Sequence, residues 1–450
     1  MRSGSVSVAG ASHTNLSHNP LYIDVFSDSK HVYTAGDLVH GTVRVDPTAR
    51  PQNISIVFKG ISILYDKDLE GCKTELFRLE QELFTSSGTG EHYDILRQGT
   101  AADGRVELPF QFTFPHVAVK PPPPERSWHY SKDSYGHPRF QHSPGFLLPP
   151  SCTTLMNAEV AVTPGISYYL EARADSSLRI RQEVRFMPPA PEYDLSLLQP
   201  NLDFGTTLPK QQCRYKFIRT RKLLPSTSKQ RNSKLSRVKD FLVEKELFFG
   251  IETFDEIPFY RFNVLATPPR VIVIGSKFPL HVTLQHLDRS ASVPEPPPLF
   301  LRRIRVQAIS TYETFVPQPR NSVNRGAEHI DRAQRMTTLL DKKFNTGDGY
   351  PLENALDVDK LGELCIPKEN ERFTPSFSSY GLSLEHEVQV EMWGECVKNE
   401  WSGIVCKEKV QFVSAWTFGT APDGHGGDEM GQAVDRPPPQ AFPPPEYGAA

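Results

Sequence analysis

The sequence predicts an all-β protein built from two antiparallel sandwiches. Three observations predict it. Apolar residues alternate with polar ones in many short runs, the period-two signature of strands with one buried face. Gly and Pro punctuate those runs, as antiparallel sandwiches require. Forty of the 450 residues are proline, nearly twice the usual ~5%. A mostly helical chain tolerates that poorly, because an interior proline removes a donor and clashes with the preceding turn.

The runs follow in order. Val39, Val43 and Val45 share one parity, with His40, Thr42, Arg44 and Asp46 on the other. Ile54, Ile56 and Phe58 form the next face, and after Gly60 the apolar parity shifts to Ile61, Ile63 and Tyr65. A glycine at a parity shift predicts a bulge. Leu178, Ile180, Val184 and Phe186 point inward, with Arg179, Arg181, Glu183 and Arg185 outward. Ile304, Val306, Ala308 and Tyr312 form another run. Val388, Val390 and Met392 alternate with Glu387, Gln389 and Glu391, and Val410, Phe412, Trp416 and Phe418 close the series. Helical spacing is confined to 233–245 (Leu235, Val238, Phe241, Leu242) and, more weakly, 326–344.

Breaks in the pattern set the organisation. Residues 1–19 read as a disordered N-terminus, 20–188 as the first sandwich, 189–245 as a basic connector and 246–418 as the second sandwich. Residues 419–450 read as a disordered, Pro-rich C-terminal tail, too poor in apolar residues to fold. Residues 117–145 read as a long exposed loop inside the first sandwich. Fifty Lys and Arg against 53 Asp and Glu argue against a globally basic nucleic-acid binder. Six cysteines without a C-x-x-C pair argue against a disulfide scaffold or zinc ribbon. No apolar run suits a signal peptide or a membrane span, so a reducing, cytoplasmic setting is expected.

An ordered series of motifs resembles the arrestin family. Residues 33–45, YTAGDLVHGTVRV, look like the early strand pair of the arrestin N-domain, with Ala35 where the family often has Pro. NISIVFKG at 53–60, LPFQFTFP at 108–115, LLPPS at 147–151 and ISYYLEARA at 166–174 follow in the family's order. PRVIVIGSKFPLHVTL at 269–284, LRRIRVQAISTYETFV at 301–316 and the hairpin at 384–418 look like its C-domain. GELCIP at 362–367 and TPSFSSYGL at 374–382 resemble the fungal, alpha-arrestin branch. The resemblance implies two Ig-like sandwiches of seven or eight strands joined end to end, the arrestin fold. The phosphate-sensing polar core of visual arrestins has no counterpart that can be placed on these residues.

The sharpest motif is Pro444-Pro445-Glu446-Tyr447, a P-P-x-Y sequence. Consecutive prolines hold a polyproline II helix that WW domains receive in aromatic grooves. Tyr447 adds apolar area and a hydroxyl. The resemblance gives the motif a role, since alpha-arrestins use it to recruit HECT-type ubiquitin ligases. The expected function is that of a ubiquitin-ligase adaptor. It would bind cytosolic segments of plasma-membrane transporters or receptors and bring a WW-domain ligase, promoting cargo ubiquitination, endocytosis and sorting. It would itself accept ubiquitin on lysine and work from the cytoplasm at the plasma membrane or endosomes. The alternative is an arrestin-fold trafficking or signalling scaffold without a ligase. Pro191-Glu192-Tyr193 is a degraded copy of the motif, or a plain linker.

The basic connector carries eleven Lys and Arg from Lys210 to Lys239, with no Asp or Glu. Arg214, Lys216, Arg219, Arg221 and Lys222 are the candidates for contact with anionic lipid or acidic cargo. The same charges also suit the solvent face of an edge strand. Phosphorylation of Ser226, Ser228, Ser233 or Ser236 would subtract from the patch. Two aromatics, Tyr215 and Phe217, are too few for a nucleic-acid stacking platform. Cys396 and Cys406 flank Trp401 symmetrically, which suits reduced core cysteines, a redox pair across a hairpin, or a metal site. Phosphate-loop, zincin and nucleophile-elbow motifs are missing, so neither catalytic residue nor cofactor is expected.

Overall fold

The computed structural model describes residues 20–27, 31–65, 71–86, 104–121, 143–153, 165–175, 177–200, 215–224, 257–316, 329–344, 349–367 and 373–415. These form an all-β fold, and no α-helix occurs among them. The stretch 233–245 lies outside the described residues.

The first sandwich packs two sheets. β1 (Leu21–Val25), β3 (Leu38–Val45) and β6 (Val106–Thr113) form one. The other runs β2 (Val32–Tyr33), β9 (Leu178–Phe186), β8 (Gly165–Ala174), β4 (Asn53–Tyr65), β5 (Gly71–Thr85), with β7 (Cys152–Thr153) beside β8. The alternation seen in the sequence explains the layers. Val39, Val43, Ile54, Ile56 and Phe58 are all buried in a shared core with Phe77, Phe114, Tyr168 and Phe186. Offset and edge-to-face rings fill that core, with Phe114 stacked 4.4 Å from Phe186 and edge-on 4.9 Å from Phe58.

Gly60 marks the parity shift physically. The β4–β5 register slips between Gly60 and Ile61. A Cβ at Gly60 would lie 2.7 Å from both Phe77 and Tyr168, so only glycine admits these rings. Gly36 supplies the positive φ (88°) of the 34–37 turn. That turn is held by the Asp37 amide donating to Thr34 O and by the Thr34 amide donating to the Asp37 carboxylate at 2.7 Å.

The second sandwich packs β10 (Lys216–Arg219), β11 (Phe259–Thr267), β13 (His281–Arg289) and β17 (Ala355–Asp357) against a larger sheet. That sheet runs β12 (Val271–Val273), β20 (Asn399–Val413), β19 (Leu382–Cys396), β14 (Leu299–Val316), β15 (His329–Lys343). β16 (Tyr350–Pro351) and β18 (Phe377–Ser379) pair at its margins. Val306, Val388, Val390, Met392, Val410 and Phe412 are buried in its core. Among the described residues each sandwich has seven strands of at least four residues.

Two expectations are corrected. Residues 329–343 form a strand, not a helix, because fourteen of them find antiparallel partners along β14. That ladder outweighs the weak helical spacing. β10 lies within the segment read as a connector, yet it hydrogen-bonds to β11 and buries Ile218 in the second core.

The halves are joined by inserted side chains. Tyr380, in the turn between β18 and β19, is 1% exposed and belongs to the first core. Its hydroxyl donates to Lys120 O at 2.9 Å, its carbonyl accepts from Ser62 Oγ, and its ring meets Phe146 edge-on at 4.9 Å. Leu382 is buried in the same core. Ser414 Oγ donates to Pro188 O at 2.7 Å, which fastens the start of the linker to the second half.

Candidate functional site

The P-P-x-Y residues Pro444, Pro445 and Tyr447 lie outside the described residues, as do Arg214 and the four connector serines. Lys216 and Arg219 stand on β10, and Arg221 and Lys222 in the 3-10 turn Arg221–Leu223 that follows. Strand alternation puts Lys216 and Arg219 on opposite faces. Lys216 shares the parity of buried Ile218 and reaches across the sandwich edge, where its Nζ donates to Ser402 O of β20 at 2.6 Å. Arg219 faces outward beside Phe217, and Lys222 is exposed.

The outward face of β10 and β11 mixes cation and aromatic. Phe217 pairs with Arg261, and Arg219 with Phe259. The Arg261 guanidinium lies 5.6 Å from the Tyr215 ring, 5.1 Å from Phe217 and 5.2 Å from Phe259. Tyr215 and Phe217 remain exposed. The aromatic content that looked thin along the connector is completed by Phe259, which the strand pairing brings alongside. Among the described residues β10 has a paired strand on one side only. A basic, aromatic edge of this kind can receive an acidic segment by strand addition.

A second basic assembly lies on the face of β9, β8, β4 and β5 turned away from the core. Sequence reasoning missed it. Register lines up Arg181, Glu171, Val57 and Glu80 in one row, and Glu183, Tyr169, Lys59 and Arg78 in the next. Glu171 is 1% exposed. It accepts from Arg173 Nε at 2.6 Å, from Arg173 Nη2, and from Arg181 Nε at 2.7 Å. Burial pushes its carboxyl up, but the hydrogen bonds from the two arginines and the Lys59 charge outweigh that and hold it at about 2. The signal was a lysine within the apolar run IVFKGI and a glutamate within YYLEA. Each is affordable only if the other strand supplies its partner.

The remaining candidates resolve simply. The β19–β20 turn is centred on Val397 and Lys398, so Cys396 faces Asn399 while Cys406 faces Val390. The two thiols are therefore not opposite one another; both are buried and outside any disulfide. Trp401 is not the centre of the hairpin, which is why the symmetry in sequence did not become symmetry in space. Pro191-Glu192-Tyr193 is extended linker, followed by a 3-10 turn, Leu195–Leu198, that Asp194 caps. Glu385 and Glu387 pair with Lys409 and Lys407 across strands. Among the described residues no group of three His, Cys, Asp or Glu could hold a metal ion, and no helix is long and apolar enough to cross a membrane. No family model matches the chain, and no curated protein matches it.

Proposed function

We propose that this protein is an arrestin-like ubiquitin-ligase adaptor acting by binding alone. The observation that carries the reading is the P-P-x-Y sequence at 444–447 beside a two-sandwich body. The body supplies surfaces for a membrane-protein segment, and the motif supplies the ligase. The β10 edge suits an acidic cytosolic segment, because Arg219, Lys222 and Arg261 give it positive charge and Tyr215 and Phe217 give it apolar area. The same charges would favour an anionic membrane surface. Joining two modest contacts in one chain raises the effective concentration of ligase at cargo, so neither contact needs to be tight.

The test is ubiquitination of the full chain by a HECT-type ligase bearing WW domains. The wild type is modified and Tyr447→Ala is not, with the fold of the variant unchanged. Equal modification of the two would remove the ligase arm and leave a scaffold.

A further inference from the structure

The basic face of the first sandwich holds a buried lysine that meets its carboxylate neighbours at ion-pair distance only. Lys59 on β4 is 6% exposed. Its Nζ lies 3.8 Å from Glu171 and 4.0 Å from Glu75, within ion-pair range but beyond hydrogen-bond reach. Both carboxylates already have closer partners. Glu171 is held by Arg173 and Arg181, and Glu75 by Lys120. The ammonium also lies 5.9 Å from the centroid of the Tyr169 ring, and at these distances its N–H donors stay open to a closer acceptor. Burial accordingly pushes the Lys59 pKa down, a shift that the Glu171 charge only partly offsets.

That ammonium lies at the wall of a cleft of about 660 Å³. Ile61 and the Tyr169 ring give the cleft apolar surface, while Lys73, Lys120 and Arg181 add positive charge. With Lys59 these cations outnumber the lining carboxylates, Glu75 and Glu183, by two. The complement is a dianion with several acceptor oxygens on one centre and a carbon body that rests on the apolar wall. A phosphate monoester has that charge and that set of oxygens. A single carboxylate has half the charge and two oxygens.

We propose that this cleft binds a phosphorylated small molecule or lipid headgroup, with phosphate oxygens accepting from Lys59 Nζ. Lys73 and Arg181 would draw the anion in from solvent. The site is separate from the β10 edge and from the P-P-x-Y sequence, and it does not rest on the adaptor reading.

The test uses the full chain. Inositol trisphosphate is titrated calorimetrically, with inorganic phosphate as a second soluble probe. Vesicles of phosphatidylcholine with and without phosphatidylinositol bisphosphate are the membrane arm. The wild type binds the trisphosphate, and Lys59→Met weakens it by about tenfold or more, the loss expected for a hydrogen bond to a charged group. Lys73→Ser weakens it severalfold with no change in unfolding midpoint, and this variant decides the matter if Lys59→Met fails to fold. Competition by soluble trisphosphate against vesicle binding identifies a headgroup as ligand. Binding of the soluble probes without vesicle binding identifies a free phosphorylated molecule. No binding by the wild type, equal affinity in the variants, or vesicle binding that the trisphosphate does not displace overturns the proposal.

Discussion

At the scale of single residues, His386 shows how the second core handles a polar group. It sits on β19 at the parity of Val388 and Val390, and it is 1% exposed. Its ring stacks on Phe412 at 4.1 Å. Nε2 donates to Thr374 O at 2.9 Å, which leaves Nδ1 to accept from Ser310 Oγ at 3.0 Å. The neutral imidazole is thus fully satisfied, and burial pushes its pKa down to about 4. The unfolded state, with an ordinary value near ~6.5, takes up the proton first. Stability is therefore complete above pH ~6.5 and is lost as pH falls toward about 4, by roughly 3 kcal/mol in all. His386→Gln keeps a donor and an acceptor without titrating. Between pH 7 and 4.5 the wild type should lose about 2 kcal/mol more unfolding free energy in urea than His386→Gln. Parallel pH profiles would contradict this account. The glutamate on the other sandwich acts lower in the range. Glu171, held at about 2, contributes stability that is lost as pH falls below the ordinary carboxylate value.

At the scale of elements, what was legible in the sequence was the strand with one wet face. Val388, Val390 and Met392 could be assigned to a buried face from alternation alone, because period two needs no knowledge of the partner. β15 was not legible, since its identity depends on β14, whose pairing residues lie between 13 and 40 positions away. β10 was hidden for the same reason, because its partner β11 begins only at Phe259. The Lys59–Glu171 cluster needed three registers at once, from β5 across β4 and β8 to β9. Turns also carry strain that sequence alone would not assign. Val397 (φ 48°) and Lys398 (φ 66°) are both left-handed, as a type I′ hairpin turn demands, yet neither is Gly or Asn. Lys398 is exposed, so Lys398→Gly relieves strain without losing packing. It should stabilise the protein by roughly 0.5–1 kcal/mol in denaturant unfolding. A loss of stability would mean that the lysine side chain contributes more than the turn costs.

At the scale of the whole molecule, the second half lends buried side chains, Tyr380 and Leu382, to the core of the first. Tyr380 comes from the second half and completes the core of the first, so neither half is independent of the other. Tyr380→Phe removes only the hydrogen bond to Lys120 O and should cost about 1 kcal/mol. Tyr380→Ala empties the socket and should cost about 3–5 kcal/mol. It should also separate unfolding into two transitions, which a single unshifted transition would rule out. A body coupled in this way would tie together the two proposed binding surfaces, the β10 edge on one sandwich and the Lys59 cleft on the other.

The adaptor reading turns on whether residues 444–447 capture a WW domain. The direct measurement is a calorimetric titration of isolated WW domains into the full chain, wild type beside Tyr447→Ala. The account predicts saturable binding by the wild type and none by the variant, with the unfolding curves of the two superimposed. Equal binding, or none by either, would contradict it.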